Sequence, residues 1–364
     1  MIVVHVTNSV MSGGVGTMIR ALIYEQSRSG ITPIVLTNGN ELEGFKKWCK
    51  IKKINISFYP IEEIRIKKMT ITGGLSRKMY NRLLKNSDGE QMIFHFHNPI
   101  SVGLFSYIPK DSVCTLHGFI GRISNKVLSN KIVYMTIKRM IKKNVQMIGC
   151  CNAVAEYFNS LFRTDCFKGI LNGIEEYEKG INKYIKKSNK IKIGFASHID
   201  ELKGWNIIEE AYNLMKHETR SMVEFYFAGE IAEESLYDFE KFCQNSNVKY
   251  VGYIDDAKEN FIPYLDVLVL PSRTEGLPMC LLEAMKSNVI IIATDVGGIG
   301  EIVEDGVSGF LIKRSGEALC DVLEKIINDP ILFSRLKQNF ELSSKQDGSA
   351  KKMSKEYKML YDSL

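Results

Sequence analysis

The chain has 364 residues, 45% apolar and 25% charged, and a formal net charge of +6. That length is too great for one hydrophobic core, so two globular domains are expected. No apolar run approaches a membrane span, and eight cysteines without a C-x-x-C spacing exclude a zinc-ribbon reading and point to buried free thiols in a reducing compartment.

The opening segment, Met1 to Thr7, lacks a basic n-region and a long apolar core, so it reads as a first strand and not as a signal peptide. Met11-Ser12-Gly13-Gly14-Val15-Gly16-Thr17 follows and opens a helix over Thr17–Ser29. Glycines at a helix entrance permit close approach to a pyrophosphate. The loop lacks the G-x-x-x-x-G-K-[ST] pattern of a nucleotide hydrolase. Further strands are predicted at Ile34–Thr37, Met92–His95, Val113–Leu116 and Val145–Ile148, with a helix over Lys126–Lys143. The stretch Arg65–Lys85 interleaves basic and apolar residues and is expected to be either an amphipathic, membrane-docking helix broken at Gly73-Gly74 or a solvated basic face. His95-Phe96-His97-Asn98 ends one strand, and His117-Gly118 follows another, where strand ends face a ligand crevice. An H-x-H pair without a nearby carboxylate argues against metal, so none is expected.

Near residue 172 the alternation breaks. Asn172-Gly173-Ile174 leads into a polar, lysine-rich run that ends at Lys190. The reading is a first domain over 1–172, a linker over 173–190, a second domain over 191–345, and a final helix over 346–364 that packs back on the first. Residues 1–172 hold 24 Lys and Arg against 10 Asp and Glu, a net of +14, while the remainder is net −8. Such a basic half suggests an anionic partner, and without a zinc-finger, RRM or KH signature a membrane surface or lipid pyrophosphate fits better than nucleic acid.

In the second domain, strands are predicted at Ile191–Ala196, Val223–Ala228, Val248–Val251, Val267–Leu270 and Val289–Ala293, with helical stretches from Ala318 onward. Ser197-His198-Ile199-Asp200-Glu201-Leu202-Lys203-Gly204 follows the first of these. After Val267–Leu270 comes Pro271-Ser272-Arg273-Thr274-Glu275-Gly276-Leu277-Pro278, then a helix carrying Glu283. Gly276 lets a ligand approach the backbone, Pro278 suits the first turn of the helix, and the free amides there suit a phosphate. Glu283, two turns on, can reach ribose hydroxyls, and Glu275 can reach a sugar on the other side. Two glutamates at that spacing alone also fit an ordinary βαβ unit.

The whole run, continuing through Val289–Val303 and ending at Asp305–Leu311, resembles the E-x7-E motif of family 4 retaining glycosyltransferases, of the GT-B fold. That resemblance implies an α/β protein of two Rossmann-like parallel-sheet domains facing an interdomain cleft. It implies transfer of a sugar, with retention, from a nucleotide-diphosphate sugar to an acceptor hydroxyl, without metal or cofactor. The pathway expected is bacterial surface polysaccharide synthesis (capsule, O-antigen or exopolysaccharide), in the cytoplasm or peripherally on the inner membrane face. By resemblance His117, Lys203 and Glu275 are catalytic. Gly13, Gly14, Gly16, His198, Lys203, Gly229, Tyr253, Ile254, Glu275, Gly276, Leu277, Pro278 and Glu283 line the donor, with His95 and His97 structural or on the acceptor side. His198 stands where the family has arginine, and Asn288 where it has glycine. A sugar-nucleotide 2-epimerase and a non-catalytic partner subunit are the alternatives.

Overall fold

The computed structural model describes residues 1–61, 63–66, 69–72, 74–97, 106–120, 127–177, 179–180, 182–255, 257–343 and 348–364. The chain forms two compact units, Met1–Glu175 with Gly348–Leu364, and Glu176–Asp347.

The first unit is built on β1 (Ile2–Val6), β2 (Thr32–Thr37), β3 (Ser57–Pro60), the hairpin β4 (Glu63–Ile66) and β5 (Met69–Thr72), β6 (Met92–His97), β7 (Ser112–Leu116), β8 (Gln146–Gly149) and β9 (Phe167–Gly169). Apart from the hairpin these form one parallel sheet in the order β3-β2-β1-β6-β7-β8-β9. The connecting helices are α1 (Gly13–Arg28), α2 (Leu42–Lys52), α3 (Arg77–Lys85), α4 (Val127–Lys142) and α5 (Asn152–Phe162). Strands β1, β6 and β7 are buried along their whole length, as parallel strands covered on both faces must be. Chain order reverses between β1 and β6, and the C-terminal ends of such a strand pair open the crevice that open α/β sheets use for ligands.

The second unit repeats the plan with β10 (Ile191–Ala196), β11 (Val223–Ala228), β12 (Val248–Gly252), β13 (Val267–Leu270), β14 (Ile290–Thr294) and β15 (Gly309–Ile312). All are parallel, in the order β12-β11-β10-β13-β14-β15, and the reversal falls between β10 and β13. Its helices are α6 (Trp205–Leu214), α7 (His217–Ser221), α8 (Leu236–Phe242), α9 (Ala257–Asn260), α10 (Met279–Lys286), α11 (Ile299–Ile302), α12 (Gly316–Asn328) and α13 (Pro330–Ser343). The last helix, α14 (Ala350–Asp362), belongs to the first unit, where Met353, Tyr357 and Tyr361 are buried.

In the first unit the structure departs from the sequence reading in two local respects. The basic stretch Arg65–Lys85 is not one broken helix: the hairpin takes its first part and only Arg77–Lys85 is helical. Lys67, Lys68 and Gly73 lie outside the described residues. Arg77 and Arg82 lie over the rings of Tyr107 and Tyr59. Helix α1 begins at Gly13 and not at Thr17, so Gly13, Gly14 and Gly16 occupy its first turn. Among the described residues, no helix is long and apolar enough to cross a membrane.

Candidate functional site

In the second unit the switch point lies between β10 and β13, and the two candidate catalytic groups stand on the loops that leave those strands. Lys203 follows β10. Its backbone N–H donates to Asp200 Oδ1 at 2.7 Å, and its ammonium donates to Glu275 Oε1 and Oε2 at 2.8 and 2.9 Å. Glu275 follows β13 and is 8% exposed. It also accepts from Ser272 Oγ at 2.6 Å. The carbonyl of Ser272 accepts in turn from Thr294 Oγ1 at 2.5 Å. A nearly buried carboxylate holding an ammonium and a hydroxyl is a charge-assisted network, stronger than neutral hydrogen bonds.

Backbone contacts explain why these loops meet. Arg273 N donates to Leu202 O at 2.8 Å, joining the two loops directly. Gly204 caps α6 in the left-handed region, at φ +86°, and a Cβ there would stand 2.3 Å from Pro271 O. Gly297, at φ +60°, would bring a Cβ to 1.9 Å from Glu275 O. Only glycine fits at both positions, which places the Lys-Gly pair and the Gly-Gly turn against the Glu275 loop.

The other donor candidates of this unit also lie beyond strand ends. Gly276 O accepts from Gly298 N at 2.7 Å, and Leu277 is buried. Pro278 is the N-cap of α10, one residue ahead of the first turn expected for it, and α10 has no side-chain cap. Glu283 lies on α10, 8% exposed, and its backbone carbonyl accepts from Tyr177 Oη at 3.0 Å. Burial, and then the charges of Glu283 and Glu275, push the neighbouring Cys280 thiol well up, so it stays protonated. Gly229 N donates to Gly252 O at 3.0 Å, just before exposed Tyr253 and buried Ile254. His198 is exposed at the start of the Lys203 loop. Asn288 takes φ +54°, the left-handed helix stop expected of it.

In the first unit, Gly13, Gly14 and Gly16 open α1, His95 and His97 lie on β6, and His117 lies just beyond β7. Both of its ring nitrogens are buried without a hydrogen-bond partner among the described residues, and burial lowers its pKa to about 4, so the ring is neutral. It stacks on His97 with centroids 5.8 Å apart. His97 joins a wholly buried network. His97 Nε2 lies 2.9 Å from His5 Nδ1, and His5 Nε2 lies 2.7 Å from Gln26 Oε1. Gln26 Nε2 donates to Tyr361 Oη, so its carbonyl oxygen accepts from His5 Nε2–H, and His5 Nδ1 accepts from His97. His95 lies between Tyr361 Oη at 2.7 Å and Thr115 Oγ1 at 2.8 Å, and Tyr357 Oη bonds the same Thr115. Burial lowers all three histidine pKa values, that of His5 to about 4.

His5, His95 and His97 bring ring nitrogens within 4.8 Å of one another, close enough to share a metal ion. Both nitrogens of His5 and both of His95 already bond side chains, however, so the cluster is satisfied as a hydrogen-bonded link between the sheet and α14. No motif singled out His5, Gln26, Ser272 or the two tyrosines of α14; their roles come from partners distant in sequence.

Residues 176–342 match the family model described as Glycosyl transferases group 1. An uncharacterised 41.2 kDa protein of the cps region of Klebsiella pneumoniae is 28% identical over 193 residues, 50% of this chain and 52% of that protein. The capsular polysaccharide biosynthesis glycosyltransferase CapM of Staphylococcus aureus is 26% identical over 182 residues, 47% of each chain. The chain therefore spans about half the length of these relatives. Anabaena HepE, solved in complex with UDP-glucose, superposes over 100% of both chains with a TM-score of 0.76 at 17% identity. At that identity the likeness shows the fold, which is GT-B.

Proposed function

We propose, for a chain whose residues 176–342 match the glycosyl transferases group 1 model, that it moves a sugar from a nucleotide-diphosphate sugar to an acceptor hydroxyl with retention. The observation that carries this reading is the pairing of Lys203 with Glu275 at the β10–β13 switch point. It joins a cation suited to a diphosphate to a carboxylate suited to sugar hydroxyls. In the reaction proposed, the bond between the sugar's anomeric carbon and the phosphate oxygen breaks, and its electron pair leaves on the diphosphate. Lys203 and the amide end of α10 take up that charge, a kind of stabilisation worth about 3–4 kcal/mol per donor removed. The acceptor oxygen bonds to the same face of that carbon, and its proton passes to the leaving phosphate.

Glu275 holds sugar hydroxyls, and Glu283 the ribose. In the first unit the same reading assigns an anion to the glycines that open α1 and a sugar to neutral His117. Cationic side chains and helix ends take the place of a metal. HepE was solved with UDP-glucose, which supports a nucleotide-sugar donor, and CapM and the cps-region protein support a surface polysaccharide as product.

The test is incubation with labelled UDP-, GDP- and dTDP-sugars, with and without lipid-linked acceptors. Acceptor-dependent transfer with the anomeric configuration kept is expected. Inverted product would remove the retaining assignment, and donor epimerisation without transfer would turn the reading to a 2-epimerase. Nucleotide binding without turnover would indicate a partner subunit.

A further inference from the structure

We propose that Glu41 is a positioning residue for the glycine-rich start of α1, turning Ser12 away from the helix so that the first-turn amides stay open to an anion. The inference rests on the reading of that segment as a diphosphate contact.

Among the described residues, four helices have a serine N-cap in extended conformation. Three of them are capped in the usual way: Ser76 accepts from Met79 N, Ser315 from Ala318 N and Ser349 from Lys352 N. Ser12, with φ −98° and ψ 147°, has the same backbone geometry and makes no cap bond. Its hydroxyl donates to Glu41 Oε1 at 2.9 Å and lies 2.8 Å from Ser9 Oγ. A hydroxyl bonded to a carboxylate is held more strongly than one bonded to a neutral amide, so Glu41 wins the hydroxyl.

The same carboxylate also fixes the approach to the helix. Glu41 Oε2 accepts from Val10 N and Met11 N, both at 2.6 Å. On the other side of these peptides, Arg20 Nη1 donates to Val10 O at 2.8 Å and Met11 O at 2.6 Å. Two successive residues, Val10 and Met11, are thus gripped through their N–H and C=O groups by opposite charges. Glu41 reaches them from the short turn Gly39–Glu41 that follows β2, the strand beside β1. Its carboxylate therefore bonds the peptides before the helix and draws the capping hydroxyl off the helix.

The test is a double-mutant cycle on the full chain, read by calorimetry with UDP and GDP and by KM and kcat for the donor. Glu41→Ala frees Ser12 to cap the helix and should weaken diphosphate binding roughly fivefold, about the worth of one cap, mostly in KM. Ser12→Ala alone should change little. In Glu41→Ala/Ser12→Ala no hydroxyl can occupy the amides, and at least half of the lost affinity should return. Glu41→Gln keeps an acceptor for the Val10 and Met11 amides and should fall between wild type and Glu41→Ala, which separates the effect from misfolding. An unaltered Glu41→Ala, or a double variant no better than Glu41→Ala, would overturn the proposal while leaving the site reading intact. Wild-type protein that binds neither diphosphate would overturn both.

Discussion

Lys203 Nζ stands 2.8 and 2.9 Å from the two carboxylate oxygens of Glu275, so the cation assigned to the leaving group and the carboxylate assigned to the sugar hold each other. The pair is partly shielded, with Lys203 29% and Glu275 8% exposed, and each keeps the other oriented before a donor arrives.

Lys203→Ala is expected to lower kcat at least about tenfold with the fold retained, since His198 is a poor substitute for a second cation. Steady-state kinetics beside a circular dichroism spectrum checks this. Wild-type turnover would take Lys203 out of the mechanism. His198→Arg should be tolerated, and complete loss of activity there would give His198 a specific role.

Glu283→Ala should weaken binding of the free nucleotide diphosphate, whereas Glu275→Ala should impair transfer more than nucleotide affinity. Calorimetry with the diphosphate, set beside initial rates, separates the two. Equal loss of nucleotide affinity in both variants would end this division of labour.

Ser272 donates to Glu275 at 2.6 Å and makes no direct contact with a donor in this reading. Ser272→Ala removes one bond to a charged group and should lower kcat by about tenfold, with little change in diphosphate affinity. A change confined to the diphosphate Kd would show that Ser272 does not act through Glu275.

The histidine network predicts acid sensitivity. Burial lowers the pKa of His5 from 6.5 to about 4, so the unfolded chain binds more protons than the folded one between these values. Stability should be fully present above pH 6.5 and lost as the pH falls toward 4, by at most about 3 kcal/mol from His5. His95 and His97 shift the same way, again chiefly through burial. Urea unfolding followed from pH 7.5 to 4.5 should show the slope, and His5→Gln should flatten it. An unchanged slope in that variant would assign the acid sensitivity elsewhere.

Helix α3 exposes Arg77, Lys78, Arg82 and Lys85 within residues 1–172, which carry the net +14. Each cation near an anionic surface contributes about 1 kcal/mol at most, screened within a Debye length. Co-sedimentation with anionic but not zwitterionic liposomes is expected, with release by moderate salt. Replacing Lys78 and Arg82 with glutamine should weaken it and spare donor binding. Equal sedimentation with both lipids, or none at low salt, would leave α3 a solvated basic face.

Much of the fold was legible because buried parallel strands are short apolar runs. Val267–Leu270 and Val223–Ala228 run over the very residues their apolar runs mark. β9, three residues long, and β15, reading Gly-Phe-Leu-Ile after a turn, carry too little pattern to stand out. The start of α1 was misplaced because glycine is a poor helix former, while here the residues just before the helix are held by Glu41, a contact distant in sequence.

By itself the sequence determined two alternating β/α units, an E-x7-E segment after a strand, and the residue types available for sugar and phosphate. Each is a local matter of apolar runs, glycines and spacing along one element. Tertiary structure alone decided the partners: Glu275 with Lys203 72 residues away, His95 with Tyr361 266 away, and Glu41 with the peptides before α1. Those pairings follow from which strands lie side by side and from α14 rejoining the first sheet, and no periodicity encodes that order. Side chains brought together across it find their partners only once the sheets have formed.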